Sequence, residues 1–282
     1  MSVTTQSRYL MEHSDEGARI EAKTDIDATM IMLRQAGIKR GMRCLDVGCA
    51  SGSTTRAMAG MTQPNLVCGL DSSLDRIQES RQRALAGGYG QPANNENPRG
   101  FGVQYVYSDA AKMPFEDDEF DFAWSRFLFE YLAEPMVVLR EMLRVTRPGG
   151  RVVVADLDGN CIFHHPLPPP LKKGMDAVIQ GAQTVGFDPW VGRKLHGYFC
   201  EAGLENVSVS VHPYHVFAGQ IPHADRANWA GKLTMLRPVG EKVLGSVEAY
   251  DNFEAGFTDF LNDSNTFTYS TLMIASGTKA QR

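Results

Sequence analysis

The stretch Leu45-Asp46-Val47-Gly48-Cys49-Ala50-Ser51-Gly52-Ser53 sets two glycines, Gly48 and Gly52, directly behind a short apolar run. A glycine turn between a strand and a helix lets a ligand approach the backbone closely. It also aims the helix N-terminus at a negative group. Three acids accompany the turn. Asp46 lies inside the strand end, Asp71 closes the second apolar run, and Asp109 closes the third in Ser108-Asp109-Ala110-Ala111-Lys112-Met113-Pro114-Phe115. An acid roughly 20 residues past such a turn suits the hydroxyls of a ribose. Nicotinamide-dinucleotide proteins use a similar turn but prefer G-x-G-x-x-G, which the G-x-x-x-G here does not fit well.

These residues need elements to hold them. Apolar runs bounded by turn residues predict buried parallel strands at 43–47, 65–70, 101–107, 120–124 and 151–155. Helical spacing predicts helices over 25–36, 53–61, 74–85 and 135–144, the last ended by Pro148-Gly149-Gly150. Residues 7–24 read as an amphipathic, charge-rich helix and 87–100 as a surface loop. Beyond 156 the pattern loosens into helices at 171–185 and 189–202, strands at 206–217 and 266–275, and a mostly helical stretch at 218–265. Alternation of this kind predicts an α/β fold: a Rossmann-like, seven-stranded, mostly parallel sheet with helices on both faces. The expected organisation is a helical cover over 1–40, a ligand-binding core over 41–156, and the rest of the sheet over 157–282, with lid insertions at 157–189 and 218–265.

In these stretches the chain resembles the class I S-adenosylmethionine-dependent methyltransferases. D-V-G-C-A-S-G resembles their first motif, G-L-D-S-S their ribose-binding motif, and S-D-A-A-K-M-P-F their adenine-binding segment. F-E-D-D-E-F-D-F-A-W-S-R-F-L-F-E-Y-L and L-R-V-T-R-P-G-G-R-V-V-V-A-D resemble the fourth strand, the helix and the fifth strand that follow. The resemblance covers about 41–156. A weaker one over 191–207 is to the quinone- and natural-product-methylating branch. It implies S-adenosylmethionine as cofactor and S-adenosylhomocysteine as product, held by Asp46, Gly48, Ala50, Gly52, Asp71, Ser72, Asp109, Ala110 and Arg126. For Arg126 a surface ion pair and a cofactor contact are equal expectations. Ala50 stands where many members carry a second glycine, which is tolerable if its φ stays negative. Tyr131 stands where many carry a histidine, so that residue's role does not transfer.

In-line attack on a sulfonium methyl needs mainly proximity and alignment. Aromatic faces suit the sulfonium charge, and Tyr9, Phe127 and Tyr131 are the candidates. A general base is useful only where the acceptor atom must lose a proton. His164 and His165, just past the fifth strand, are candidates, and Tyr9 is the remaining catalytic candidate. Trp190, Tyr198, Tyr214 and Trp229 are candidate walls of an acceptor pocket. His212 and His215, three apart on a strand, point to opposite faces, which argues against a shared metal. Asp156-Leu157-Asp158-Gly159-Asn160 lacks the sixth-position glycine and twelfth-position acid of a calcium loop. No metal is expected.

Composition narrows the partners. The 282 residues carry a formal net charge of -5, a poor match for non-specific binding to a phosphate backbone. An RNA or protein methyltransferase would show a basic face or an N/D-P-P-Y/F-type segment after the fourth strand, where this chain has W-S-R-F. No run of ~20 apolar residues or signal-peptide core is present, which points to a cytoplasmic protein with no membrane association. The five cysteines, with no C-x-x-C pair, read as buried, reduced thiols. The reading is an enzyme that transfers a methyl group to an N, O or C atom of a small, fairly apolar metabolite of secondary metabolism, with homodimerisation left open. The rivals are a protein of this fold with a non-methylating activity and an NAD-dependent oxidoreductase.

Overall fold

The computed structural model describes residues 21, 24–63, 65–89 and 102–281; the side chains of 160, 161 and 224 lie outside that description. The helix expected over 7–24, and with it Tyr9, falls almost wholly outside the described residues, as does most of the loop at 87–100.

A seven-stranded sheet in the order β3-β2-β1-β4-β5-β7-β6 organises the chain. Its strands are β1 (Cys44–Val47), β2 (Val67–Asp71), β3 (Val103–Tyr107), β4 (Phe120–Arg126), β5 (Thr146–His165), β6 (Glu205–Ala218) and β7 (Phe267–Thr278). The first five are mutually parallel, and β7 runs antiparallel between β5 and β6. The chain builds outward from β1 to β3, then crosses to β4 on the other side of β1. That reversal opens a crevice at the carboxyl ends of β1 and β4, where ligands of open α/β sheets bind.

Helices α1 (Ile26–Gln35) and α2 (Ser53–Thr62) cover one face of the sheet, packing Leu33 and Met58 onto Phe122, Trp124, Val153 and Ile274. Helices α4 (Pro135–Val145) and α6 (Val191–Glu201) cover the other, with Leu139, Met142, Leu195 and Phe199 against Leu45, Ala123 and Val152. Helix α3 (Leu74–Ala86) packs Ile77 and Ala84 against Tyr105 and Cys49. Full burial of such side chains is worth ~1.5–3 kcal/mol each, which makes these layers the main source of stability. Helices α5 (Pro169–Gln183), α7 (His223–Leu244) and α8 (Val247–Asn262) form a separate apolar layer through Met175, Trp229, Leu233, Phe257 and Phe260.

Three expectations need correction. Residues 157–165, expected to open an insertion, continue β5, because β7 pairs with Leu157, Asp158 and Phe163–His165 across an irregularity. Pro148-Gly149-Gly150 falls within the same element: Gly149 donates to the Lys279 carbonyl at 2.9 Å, and Lys279 donates back to that of Gly150 at 2.9 Å. Of the cysteines, Cys44, Cys49 and Cys68 are buried and free, as expected, but Cys200 is exposed. Burial pushes the Cys68 thiol up to about 12, so it stays protonated and inert at neutral pH.

Candidate active site

Gly48 and Gly52 adopt left-handed backbone at φ +75° and +78°, as the tight turn after β1 demands. A Cβ on Gly52 would lie 2.5 Å from the Tyr105 hydroxyl, so β3 reaches up beneath the turn. Ala50 also lies in this region, at φ +47°, so the condition of negative φ for an easily tolerated alanine is not met. It is held there on both sides. Its N–H donates to Asp71 Oδ2 at 2.9 Å, and its carbonyl accepts from Ser80 Oγ at 2.6 Å. A left-handed L-residue costs ~1–2 kcal/mol, and Gly in its place gives back ~0.4–1 kcal/mol through a looser unfolded chain. Ala50→Gly is therefore expected to raise stability by about 0.5–1 kcal/mol. A denaturant midpoint below that of the wild type would contradict the strain.

Asp71 ends β2 and ties the turn together. Its Oδ1 accepts from Ser73 N at 2.9 Å, opposite the Oδ2 bond to Ala50. Gly48 and Cys49 donate to the Leu70 carbonyl at 2.8 and 3.0 Å, and Ser108 to that of Asp71 at 3.0 Å. The ends of β1, β2 and β3 are thus locked in one register. Asp109 is exposed just past β3. Its Oδ1 caps its own turn through Ala111 N at 2.8 Å, and Oδ2 has no partner among the described residues. Ala110 is half-buried beside it. The structure therefore brings Gly48, Ala50, Gly52 and Asp71 together, with Ser72, Asp109 and Ala110 on the neighbouring loops.

Asp46 lies beneath the turn, 2% exposed, and accepts from Thr55 Oγ1 of α2 at 2.6 Å. Burial pushes its carboxyl from 3.8 up to about 6, against the downward pull of Thr55 and the Arg126 charge. A carboxyl that binds its proton more tightly in the folded state stabilises fully below its unfolded pKa, and that stabilisation is lost as pH rises through the folded value. Asn keeps an acceptor for Thr55 and does not titrate. Between about pH 5 and pH 8 Asp46→Asn is expected to lose ~1–2 kcal/mol less stability than the wild type. Chemical denaturation at both pH values reads the difference, and parallel profiles would refute it.

Arg126, the last residue of β4, is not the surface ion pair that was one of its two expectations. It is half-buried, its partial loss of solvent lowers its pKa, and it has no ion pair among the described residues. Its Nη1 donates to Thr29 Oγ1 of α1 at 2.7 Å, and its guanidinium lies 5.0 Å from the centre of the Phe127 ring.

The remaining candidates divide. Phe127 meets Tyr214 at 5.4 Å between ring centres, Tyr214 meets His215 at 4.1 Å, and His215 meets Trp229 at 6.0 Å. This wall joins the sheet to the layer formed by α5, α7 and α8. Tyr131 contacts Phe187 instead, and Trp190 stacks on Arg193 at 4.2 Å. Tyr198 is half-buried against the α4–α6 layer. His164 bonds Thr268 Oγ1 through Nδ1 at 2.8 Å and sits among Trp229, Phe257 and Phe260 of the α7–α8 aromatic layer. His165 is exposed. The strand around His215 is irregular, with φ +48° at that residue, so simple alternation from His212 does not hold there. Among the described residues no group of three His, Cys, Asp or Glu could hold a metal ion.

Several residues at the site escaped the sequence reading. Ser51, fully buried, donates to Glu21 Oε2 at 2.7 Å, and Glu21 also pairs with Arg56, so a carboxylate from upstream sits on the glycine turn. Glu130 and Asp156 are both buried, and Asp156 Oδ2 accepts from Glu130 N at 3.2 Å. Burial first, and Glu130 second, hold the Asp156 carboxyl well above its ordinary value. An acid in the apolar run Phe127-Leu128-Phe129-Glu130-Tyr131-Leu132 was the available signal.

Residues 45–154 match the family described as methyltransferase domain. Those residues carry the likeness of a methyltransferase domain. This domain is 32% identical over 123 residues to demethylmenaquinone methyltransferase of Staphylococcus aureus (strain MRSA252), a match spanning 43% of this chain and 46% of that enzyme. The chain thus spans about half the length of the curated relatives of that kind. A longer match, 27% identical over 241 residues, covers 83% of this chain and 76% of 27-O-demethylrifamycin SV methyltransferase of Amycolatopsis mediterranei (strain S699). In fold, the structure superposes on Haemonchus contortus phosphoethanolamine N-methyltransferase 2 in complex with S-adenosyl-L-methionine. The TM-score is 0.60 at 17% identity, covering 99% of this chain and 61% of that one.

Proposed function

We propose that this methyltransferase domain transfers a methyl group from S-adenosylmethionine to an N, O or C atom of a small, fairly apolar metabolite. One observation carries the reading: the glycine turn after β1 and the acids Asp71 and Asp109, at the ends of β2 and β3, converge on the carboxyl edge beside the switch between β1 and β4. The residues fit the cofactor chemically. Asp71 would accept from the ribose hydroxyls, the open Asp109 Oδ2 from the adenine amine, and the backbone after Ser108 would meet the ring. Gly48 and Gly52 would keep side chains out of the approach, with Ser72 and Ala110 lining the neighbouring loops.

The cofactor supplies an activated methyl group. The chain's part is to bind, align and exclude water. Rigid alignment can contribute up to ~7–11 kcal/mol to a two-reactant step. The aromatic wall from Phe127 to Trp229 would present ring faces to a positive centre whose charge disperses during transfer. His164 is proposed to shape the lid through its ring contacts, which leaves no assigned general base. Both the rifamycin-modifying and the menaquinone-modifying relatives act on small molecules by name, which supports an acceptor of that size. No helix of the described residues is long and apolar enough to cross a membrane, and a cytoplasmic location with no nucleic-acid partner is part of this proposal.

Calorimetric titration of the whole chain with S-adenosylmethionine, S-adenosylhomocysteine, NAD and NADP tests the reading. Micromolar binding of the first pair alone is expected, followed by uptake of labelled methyl in an acceptor screen. Binding of a nicotinamide cofactor, or of none of the four, would overturn it.

A further inference from the structure

Two buried hydrogen-bond donors at the junction between the sheet and α7 have no acceptor among the described residues. They are Trp229 Nε1 and Ser270 Oγ, both sealed from solvent, on residues 2% and 0% exposed. Both border one cluster. Ser270 of β7 lies beside Tyr214 of β6 across the strand pair, Tyr214 meets His215, and His215 meets Trp229. Two residues from Ser270, on the same face of β7, Thr268 bonds His164, whose ring also meets Trp229 at 6.3 Å. Trp124 Nε1 is sealed as well, but its ring stacks on Phe122 inside the sheet layer, away from this junction. A buried donor left unpaired is destabilising, and folded proteins keep few of them. Two at one junction are suited to an incoming acceptor atom.

The place of the junction in the fold says what kind of molecule would bring that atom. The aromatic wall begins at Phe127, next to Leu128, which packs on Gly48 of the glycine turn. Trp229 stands at the other end of the wall. Leu233, Phe257 and Phe260 share its apolar layer, where an ionised group would be poorly solvated. Two neutral donors in such surroundings match a neutral oxygen with two lone pairs. Within the methyltransferase reading, on which this rests, we infer that Trp229 and Ser270 read a carbonyl oxygen of the methyl acceptor, a planar apolar ketone whose oxygen lies remote from the methylated atom. Trp229 Nε1 and Ser270 Oγ both donate to that oxygen, and Lys232, 4.7 Å from the indole centre, holds the ring in place. The ketone reaches them as α7 parts from the sheet. α7 packs chiefly on α5 and α8, and it is flanked by glycines with left-handed backbone, Gly219 at φ +82° and Gly245 at φ +94°. Residues at the ends of an element absorb the backbone rotation when it moves.

The test uses 2-acetylnaphthalene as the ketone probe and 2-isopropylnaphthalene as its hydrocarbon counterpart, each titrated into the full chain with and without S-adenosylhomocysteine. The ketone alone is expected to move the indole N–H proton of Trp229 downfield in a proton–nitrogen correlation spectrum. With three tryptophans in the chain, the resonance is identified by its loss in Trp229→Phe. Ser270→Ala should bind the ketone about three- to tenfold more weakly than the wild type and the hydrocarbon within about twofold. It should also melt at a higher temperature, because an unpaired buried hydroxyl has gone; a hydroxyl with a structural role would lower the melting temperature instead. A ketone that leaves the Trp229 resonance in place, or that does not bind, would overturn the inference. So would unchanged ketone affinity in Ser270→Ala. The S-adenosylhomocysteine arm separates this inference from the reading beneath it. Ketone binding with the indole shift in a chain that does not bind S-adenosylhomocysteine would uphold the donor pair and remove the methyltransferase reading around it. S-adenosylhomocysteine binding without the shift would do the reverse.

Discussion

Replacing Asp71 by alanine is expected to weaken S-adenosylhomocysteine binding by about 100- to 1000-fold. The carboxylate has two tasks in the proposed complex. It would accept from the ribose hydroxyls, and it already holds Ala50 N and Ser73 N, each at 2.9 Å. Hydrogen bonds to a charged acceptor contribute ~1.5–3 kcal/mol each, so losing two of them reaches the stated range. Loss of the Ala50 bond compounds the effect, because the left-handed residue at φ +47° is then held from one side only, through Ser80. Asp71→Asn separates the two tasks. Its amide oxygen can keep one backbone bond and its amide nitrogen cannot accept, so an intermediate loss of about tenfold is expected. Calorimetry on folded variants, checked by circular dichroism, gives both numbers. Affinity for Asp71→Ala within about threefold of the wild type would mean that the acid only ties the turn.

The sheet was legible because its parallel strands are short apolar runs punctuated by turn residues. That pattern depends on local burial, and it located β1 to β4 to within a few residues. The glycine turn and the acids of β1 and β2 were legible for the same reason, since a tight strand-to-helix turn leaves few residue choices. What sequence does not carry is pairing between distant segments. β5 runs on through the polar residues Asp156 and Asp158 because β7 pairs beside it, and Asp158, 4% exposed, is neutralised by two bonds from the Arg193 side chain, both at 2.8 Å. Nothing between 146 and 165 records either partner. Arg126 illustrates the same limit at the site. Its sequence neighbours are compatible with a surface ion pair, and only the approach of Thr29 from α1 and Tyr214 from β6 half-buries it without one. Likewise His164 belongs to the aromatic layer of α7 and α8 through Phe257 and Phe260, residues that reach it only by the return of α8.

Gly52→Ala is expected to destabilise the protein by about 2–5 kcal/mol, lowering the melting temperature by about 5–15 °C. Two costs add. An L-residue at φ +78° pays ~1–2 kcal/mol for its left-handed backbone. The new Cβ also lies 2.5, 2.7 and 2.8 Å from Oη, Cε1 and Cζ of Tyr105, and overpacking of this kind costs ~1–3 kcal/mol. Tyr105 cannot retreat cheaply, being 5% exposed, bounded by Ile77 and Ala84 of α3, and hydrogen-bonded near its limit to the Gly52 carbonyl at 3.4 Å. The double variant Gly52→Ala with Tyr105→Leu separates the two costs, because the smaller side chain relieves the clash and leaves the backbone strain. A double-mutant cycle by thermal denaturation should show a favourable coupling of about 1–3 kcal/mol. Additive losses would mean that the turn accommodates the methyl group by moving away from β3, and the close support of the glycine turn by Tyr105 would then not be what fixes its geometry.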